Sequence, residues 1–379
     1  MGGIEFFFWL LLGGVFFTYA GYAVLLLLLR PFYRRSRAAA VPTAPITLVI
    51  AAFNEAGILP EKISNTLALY DPHRQLRVLV VTDGSTDGSE ALLQAFPVRV
   101  LHTPERRGKA AALNRAMTHV DTPLVVFSDA NTLLNPDALQ RILAHFADPG
   151  VGAVAGEKRV QHGTGVGFAE GLYWNYESFL KRLDAGFHSV VGAAGELFAL
   201  RAALYAPLPE DTLLDDLALS LHIGQLGYRI AYEPGAYALE APSASLADEE
   251  KRKVRIAAGA FQLLERLHWR RLLARPALAF QFVVRRWMRW VFCPLALPAL
   301  LLLNTLLVLG SAGPLYSWLL AAQITLYALA LLGAGLLRHN RSFMPATLPF
   351  YFLFMNWCML AGWRRHRRGA QSVLWEKAR

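Results

Sequence analysis

Residues 77–87 read RVLVVTDGSTD, and the same plan recurs at 46–55, ITLVIAAFNE, and at 124–132, LVVFSDANT. In each, aliphatic and β-branched residues run unbroken and stop at a polar turn that carries a carboxylate. An unbroken apolar run, rather than an alternating one, is what a strand buried on both faces requires. Helix-length segments at 57–70 and 109–119 separate the runs. The alternation predicts an α/β domain over residues 45–248 with a mainly parallel open sheet and right-handed crossovers. Its first strands are expected at 46–51, 77–82, 98–101 and 124–128.

Outward from this domain the composition changes. The 379 residues are 55% hydrophobic and 17% charged, with a mean hydropathy of +0.33, a balance that calls for both a soluble part and membrane segments. Phe6 to Leu29 contains no charge, and a helix of that length covers about 36 Å, enough for a hydrocarbon core of about 30 Å. A cleaved signal peptide is the competing reading, but Glu5 stands where a positive charge is expected, and Arg30, Arg34, Arg35 and Arg37 follow the run. Residues 1–30 are therefore expected to be a membrane anchor with its basic end, and the α/β domain, in the cytoplasm. Three more uncharged stretches, 291–310, 314–337 and 342–363, can each span.

Their flanks conflict. Arg285, Arg286 and Arg289 mark a cytoplasmic start and Arg338 and Arg341 a cytoplasmic return, so a further crossing would place Arg364, Arg365, Arg367 and Arg368 outside. Pro345 and Pro349 interrupt the last stretch, and a re-entrant or interfacial segment would leave that basic tail, 364–379, inside. Both topologies stay open. From 249 to 289, Arg and Lys clusters alternate with Phe261, Leu264, Leu267, Trp269 and Phe280, the pattern of amphipathic helices on a membrane surface.

The net charge of +10 admits nucleic acid, anionic lipid or a phosphorylated ligand as partner. Because the basic residues cluster beside apolar spans, membrane lipid is the simpler partner, and no nucleic acid is expected. Only Cys293 and Cys358 are present, both in apolar stretches, which leaves no disulfide framework and no cysteine zinc cluster.

Ligands of open α/β sheets bind beyond the carboxyl ends of the strands, and three polar turns converge there: 52–55, 82–87 and 128–132. Any one alone is an ordinary Asx-capped turn; together they argue for a site. Neither G-x-G-x-x-G after the first strand nor G-x-x-x-x-G-K-[ST] occurs, which disfavours dinucleotide oxidoreductases and P-loop nucleotidases. Lys109 opens a helix whose N-terminal amides also favour phosphate. Asp215 and Asp216 begin the run that ends near Gly227, where adjacent acids also suit the helix dipole.

In the order of these motifs, from Pro45 to Gly259 and on into the C-terminal helices, the chain resembles the membrane-bound, inverting family 2 glycosyltransferases with a GT-A fold. The resemblance implies that Phe53, Asn54, Glu55 and Asp83 hold a nucleotide, with Lys109 and Asn114 in the stretch where a cation meets the diphosphate. Asp129-Ala130-Asn131 stands at the D-x-D motif, so that Asp129 and Asn131 become ligands of a divalent cation, Mg2+ or Mn2+, with Asn in place of the second acid. The segment 213–217 resembles T-E-D, which makes Asp216 the general base that deprotonates the acceptor hydroxyl. The loop with Gly195 and Glu196, together with Asp215, then lies on the acceptor side. Residues 252–259 align with Q-x-x-R-W, but Arg252 replaces Gln and Ile256 replaces Trp, leaving Arg255 for the diphosphate. Trp174 or Trp269 could substitute as a stacking platform for a sugar, although core packing or membrane anchoring is the simpler role for each. Trp375-Glu376-Lys377 resembles a terminal motif of the family.

The implied activity is transfer of a sugar from a nucleotide-sugar donor, UDP-linked, to a lipid-linked or polysaccharide acceptor at the cytoplasmic membrane. Asn131, Arg252 and Ile256 support the alternative, a degenerate scaffold that binds nucleotide-sugar or glycan without turnover.

Overall fold

The computed structural model describes residues 2–33, 44–71, 75–161 and 165–374. Arg34, Arg35, Arg37 and the 375–377 motif lie outside the described residues. Eight strands form one sheet: β1 (Ile46–Ala52), β2 (Leu76–Asp83), β3 (Arg99–Thr103), β4 (Leu124–Asp129), β5 (Thr132–Leu134), β6 (Val151–Val160), β7 (Phe198–Arg201) and β8 (Arg229–Glu240). Their order is β3-β2-β1-β4-β7-β6-β8-β5. The half that the apolar runs predict is parallel throughout, β3 to β2 to β1 to β4. Beyond β4 the sheet is mixed, because β7 is antiparallel to both β4 and β6 and β5 is antiparallel to β8, while β6 and β8 run parallel.

The unbroken apolar runs are explained by cover on both faces. Leu48, Ile50, Val80 and Val126 point to one layer, with Leu59 and Ile63 of the Leu59–Leu67 helix and Ile142 of Ala138–His145. Val49, Val81, Val125 and Phe127 point to the other, against Ala112, Leu113 and Ala116 of Lys109–Met117 and Leu219 and Ile223 of Asp215–Gln225. Helices on both faces leave the carboxyl edge of the parallel half as the open side.

Among the described residues four helices are long and apolar enough to cross a membrane: Gly2–Phe32, Pro276–Leu309, Pro314–Arg338 and Met344–Arg367. The second begins well before residue 290, since Pro276–Phe282 continues through a π-helical segment, Val283–Phe292, into Cys293–Leu309. Phe8 of the first helix packs on Leu300, Leu307 and Tyr316, so the N-terminal end stands beside the turn between the second and third. The first two are tied to the Val166–Phe187 helix by buried polar groups. Tyr22 donates to Asp184 at 2.5 Å, Arg285 donates to Asp184 at 2.8 Å and Glu177 at 3.0 Å, and Arg289 also donates to Glu177.

The last helix, Met344–Arg367, is continuous despite Pro349. It lies lengthwise along Leu246–Arg266, running parallel to it. Tyr351 Oη donates to Glu249 at 2.7 Å, Gly362 meets Ala257 and Ala258, and His366 lies 3.0 Å from Glu265. Both flanks return to the α/β domain: Asn340 abuts Gly165, and Val373 lies within 4 Å of where a Gly108 side chain would begin.

A Cβ on Gly362 would fall 2.3 Å from the Ala257 Cβ and 2.8 Å from the Ala258 nitrogen. Neither neighbour can swing aside. Gly362→Val is expected to cost about 1–3 kcal/mol, read as an earlier thermal transition of the detergent-solubilised protein. An unchanged transition would mean that the two helices are not in contact.

Candidate active site

Parallel pairing sets Ala51 opposite Asp129 and Ala52 opposite Thr82, so the turns after β1, β2 and β4 share one edge. The first two turns are laced together. The Asn54 amide donates to Ser85 Oγ at 3.0 Å, Asn54 Oδ1 accepts from the Thr86 amide at 2.8 Å, and Asp87 accepts from the Ala56 amide at 2.8 Å. Asn54 takes a left-handed φ of 52° to do this, a conformation Asn tolerates better than most residues. The Arg106 guanidinium stacks on the Phe53 ring at 3.4 Å. Glu55 closes the turn with its carbonyl, which accepts from the Ile58 and Leu59 amides.

Asp83 is fully buried and spends both oxygens on the next loop, accepting from the Arg107 amide at 3.1 Å and the Gly108 amide at 2.7 Å. Its position is that of an anchor for the loop that presents Lys109. Asn114 is likewise occupied away from the edge: it accepts from Tyr205 Oη and the Leu208 amide and donates to the Leu208 carbonyl. It clamps residues 205–208.

At the centre, Lys109 Nζ lies 2.9 Å from Asp129 Oδ1 and 3.4 Å from Asp215 Oδ2. Burial opposes its charge, but Asp129, Asp215 and Asp216 outweigh that and hold its pKa well above the ordinary value. The carboxyls feel the converse. Burial, then the Asp215 charge, pushes Asp216 up to about 7 even though Lys109 pulls it down. Asp129 is raised by burial and by Glu196, against Lys109. Glu196 stays ionised well below its usual range because Lys158, although burial opposes it, pairs with it directly.

Asp216 divides its two oxygens between two jobs. Oδ1 accepts from the Leu217 amide at 2.8 Å, capping its own helix, while Oδ2 faces Gly195, 3.7 Å from where a side chain there would start. That same point is 3.2 Å from Lys109 Nζ, so only glycine leaves the space above this ammonium and carboxyl empty. Arg255 closes the far side from the Leu246–Arg266 helix within the field of Asp215 and Asp129, its Nε buried without a partner. Arg252 is turned away into a buried cluster with Glu170, Glu249 and Glu240.

Among the described residues no three His, Cys, Asp or Glu side chains are gathered as a ready metal cage. The donor set nonetheless fits a divalent cation that is shared with a diphosphate. Mg2+ and its kin are commonly held by one or two carboxylates, with phosphate and water supplying the rest. Asp129 is one such carboxylate. Asn131 commits its amide nitrogen to Glu240 at 3.3 Å, so its oxygen is the end that can face an ion. Asp129 and Asp216 are raised first by burial and then by neighbouring carboxylates, an environment that a bound cation would relieve.

Two residues at this site escape a sequence reading. Lys62, 0% exposed, lies beneath the Asp129 turn with Nζ 2.7 Å from Ser128 Oγ and 2.8 Å from the Thr132 carbonyl, and burial lowers its pKa to about 7. Lys158 joins Glu196 to Glu240. A lysine on the apolar face of the Leu59–Leu67 helix was the available signal for the first. Trp174 stands beside this ion pair, 5.0 Å from Lys158 Nζ, whereas Trp269 packs on Phe282 away from it.

Comparison with known proteins agrees with this construction. The chain is 29% identical over 231 residues to the poly-beta-1,6-N-acetyl-D-glucosamine synthase of Staphylococcus aureus, covering 58% of this chain and 56% of that one. To the synthase of the same name from Staphylococcus epidermidis it is 26% identical over 236 residues, 59% and 56%. The chain thus spans little more than half the length of these curated relatives. Among solved structures, the mannosyltransferase PcManGT from Pyrobaculum calidifontis, in complex with GDP-Man and Mn2+, superposes with a TM-score of 0.74 at 24% identity, covering 97% of this chain and 100% of that one. The shared architecture is the GT-A fold, here with apolar helices at both ends. Residues 47–206 match the family model described as Glycosyl transferase family 2, a stretch that spans the first seven strands of the sheet.

Proposed function

We propose that the protein is an inverting membrane glycosyltransferase that moves a sugar from a UDP-linked donor to a lipid-linked or glycan acceptor. The observation that carries this reading is Asp216, a carboxyl pushed up to about 7 with one oxygen turned toward an open glycine-lined space. A general base works best when its pKa is near the operating pH. Inversion needs only one such base, on the face opposite the leaving nucleotide, and no covalent intermediate.

The laced turns with Phe53, Asn54 and Glu55 cradle the nucleotide, and the loop pinned by Asp83 brings Lys109 to the diphosphate. Arg255, with its unpartnered Nε, adds a second cation from the opposite side. Asp129 and Asn131 would hold the divalent ion, which supplies charge neutralisation to the departing diphosphate. Lys62 and Lys158 keep the Asp129 turn and Glu196 in place, while Gly195 leaves room for the acceptor. The Arg252 cluster is internally compensated and far from disrupting this arrangement, which favours an active transferase over a degenerate scaffold.

The apolar helices anchor the domain, with the amphipathic 249–289 region and the 344–367 helix at the membrane surface. The basic flanks favour a cytoplasmic domain, where nucleotide-sugars are available. The name of the staphylococcal relatives points to an N-acetylglucosaminyl donor, and that of the archaeal structure to GDP-mannose. A panel of UDP-sugars and GDP-mannose, offered to the full chain in nanodiscs with Mg2+ or Mn2+, should give nucleotide release with one UDP-sugar. Release from GDP-mannose alone would correct the donor; release from none in the presence of membrane extract would favour the scaffold.

A further inference from the structure

Behind the carboxylate site lies a second feature that the transfer chemistry does not use. The Val166–Phe187 helix, the Gly2–Phe32 helix, the 283–292 segment and the Met344–Arg367 helix line a cavity of about 190 Å³ that opens to the outside. Most of its wall is apolar or aromatic, including Tyr19, Leu172, Phe352 and Met355, but one side is formed by Arg285, Arg286 and Arg289. Three of these wall elements belong to helices apolar enough to span, so the cavity lies where the domain meets the bilayer.

The charge in this wall is not balanced. Arg285 binds Asp184 and Glu177, Arg289 binds Glu177, and Arg286 donates Nε and Nη2 to the Val191 carbonyl at 2.9 and 2.5 Å. Three guanidinium groups thus meet two carboxylates. Arg285 Nη1 and Arg289 Nε and Nη2 are buried with no hydrogen-bond partner, in side chains only 3% and 11% exposed. A buried donor without an acceptor costs about 1–3 kcal/mol, and an oxyanion is the acceptor that guanidinium N–H groups bind best. Asn356 Oδ1, also lining the cavity and unpartnered, can accept from a protonated phosphate oxygen.

We propose that this cavity binds the phosphate headgroup of a membrane lipid, with the headgroup on the arginines and the chain along Tyr19, Leu172, Phe352 and Met355. Arg286 couples it to the active site: its Nη2 lies 3.1 Å from where a side chain on Gly192 would begin, and that point touches Leu217, the neighbour of Asp216. The acceptor of the transfer is then a sugar carried on a phosphate-bearing lipid, whose hydroxyl loses its proton to Asp216 as it attacks the donor and the nucleoside diphosphate departs, a step that rests on the transferase reading above.

The test uses the full chain in nanodiscs of phosphatidylcholine doped with phosphatidic acid, with bound lipid counted by native mass spectrometry. Wild type should retain phosphatidic acid over phosphatidylcholine. Arg289→Gln should weaken retention by roughly tenfold, the worth of one charge-assisted contact, and Met355→Trp, which fills the space without touching charge, should independently abolish the preference for phosphatidic acid. Nucleotide affinity, read at a site neither side chain touches, reports that both variants are folded. Equal retention of the two lipids, equal retention by all three proteins, or displacement by millimolar inorganic phosphate would overturn the lipid site. The acceptor step is read separately, by adding a polyprenyl-phosphate-linked sugar and a releasable donor. Stimulated nucleotide release by wild type and not by Met355→Trp supports it, and stimulation of both overturns it. Absence of donor binding by wild type would instead count against the transferase reading.

Discussion

Asp216→Asn is expected to lower turnover by about 10³-fold, the usual worth of a positioned general base, while nucleotide affinity stays within about twofold. The amide keeps the size of the side chain and one oxygen to accept from the Leu217 amide, so the helix start survives and only the proton acceptor is removed. In wild type, turnover should rise with pH through about 7, as Asp216 loses its proton; in the variant that limb should be flat. Stability should move the other way. Because the folded carboxyl binds its proton more tightly than the unfolded one, wild-type stability falls as pH rises from about 4 to about 7 and stays reduced above. The Asn variant lacks that penalty and should be more stable at pH 8 by about 1–2 kcal/mol, discounted for partial exposure, with no advantage below pH 4. A variant that retained wild-type turnover would remove Asp216 from the mechanism, and a pH profile unchanged by the substitution would place the base elsewhere.

Lys109→Met should be the most damaging single change outside the base. Its ammonium is the only partner at hydrogen-bond distance that Asp129 has at this edge among the described contacts, and it also faces Asp215. Removing one member of a fully buried ion pair costs about 3–5 kcal/mol; with these side chains 14–30% exposed a loss of about 2–3 kcal/mol is expected. Millimolar Mg2+ should return part of it in the variant, more than in wild type, because the uncovered carboxylates then bind the ion. Nucleotide affinity should drop by about 10- to 100-fold, the worth of a charge-assisted phosphate contact. Lys109 also holds the Asp216 pKa down, so the remaining activity should need a higher pH than wild type. Thermal shift with and without Mg2+, together with a nucleotide titration, reads all three effects. Wild-type stability and affinity in the variant would exclude Lys109 from the donor site.

Much of the site was legible because it is local. The strands over 46–52, 76–83 and 124–129 are contiguous apolar runs, and a carboxylate or amide at the end of each falls on the same edge whenever the strands are parallel. Asp129, Asp216, Lys109 and Gly195 do meet there. Asp83 and Asn114 have roles the motif order does not show, since what occupies their polar atoms is the backbone of loops 24 and 94 residues further on. Lys158 gave no readable pattern for the same reason, and Lys62 only the anomaly of a lysine on an apolar helix face. A buried lysine is tolerated only through partners such as Ser128, 66 residues away, and no spacing rule encodes such a partner.

What the sequence by itself determined is everything that depends on neighbours along the chain: the parallel half of the sheet, the polar turns at its edge, the helix that Asp215 and Asp216 begin, and four stretches apolar enough to span. Tertiary structure alone decided the antiparallel insertion of β7, the lengthwise packing of 344–367 on 246–266 that returns Val373 to Gly108, and the arginine-lined cavity. Hydrophobic periodicity specifies how much surface a segment must bury but not against which partner, and the choice of partner falls to contacts between residues far apart in sequence.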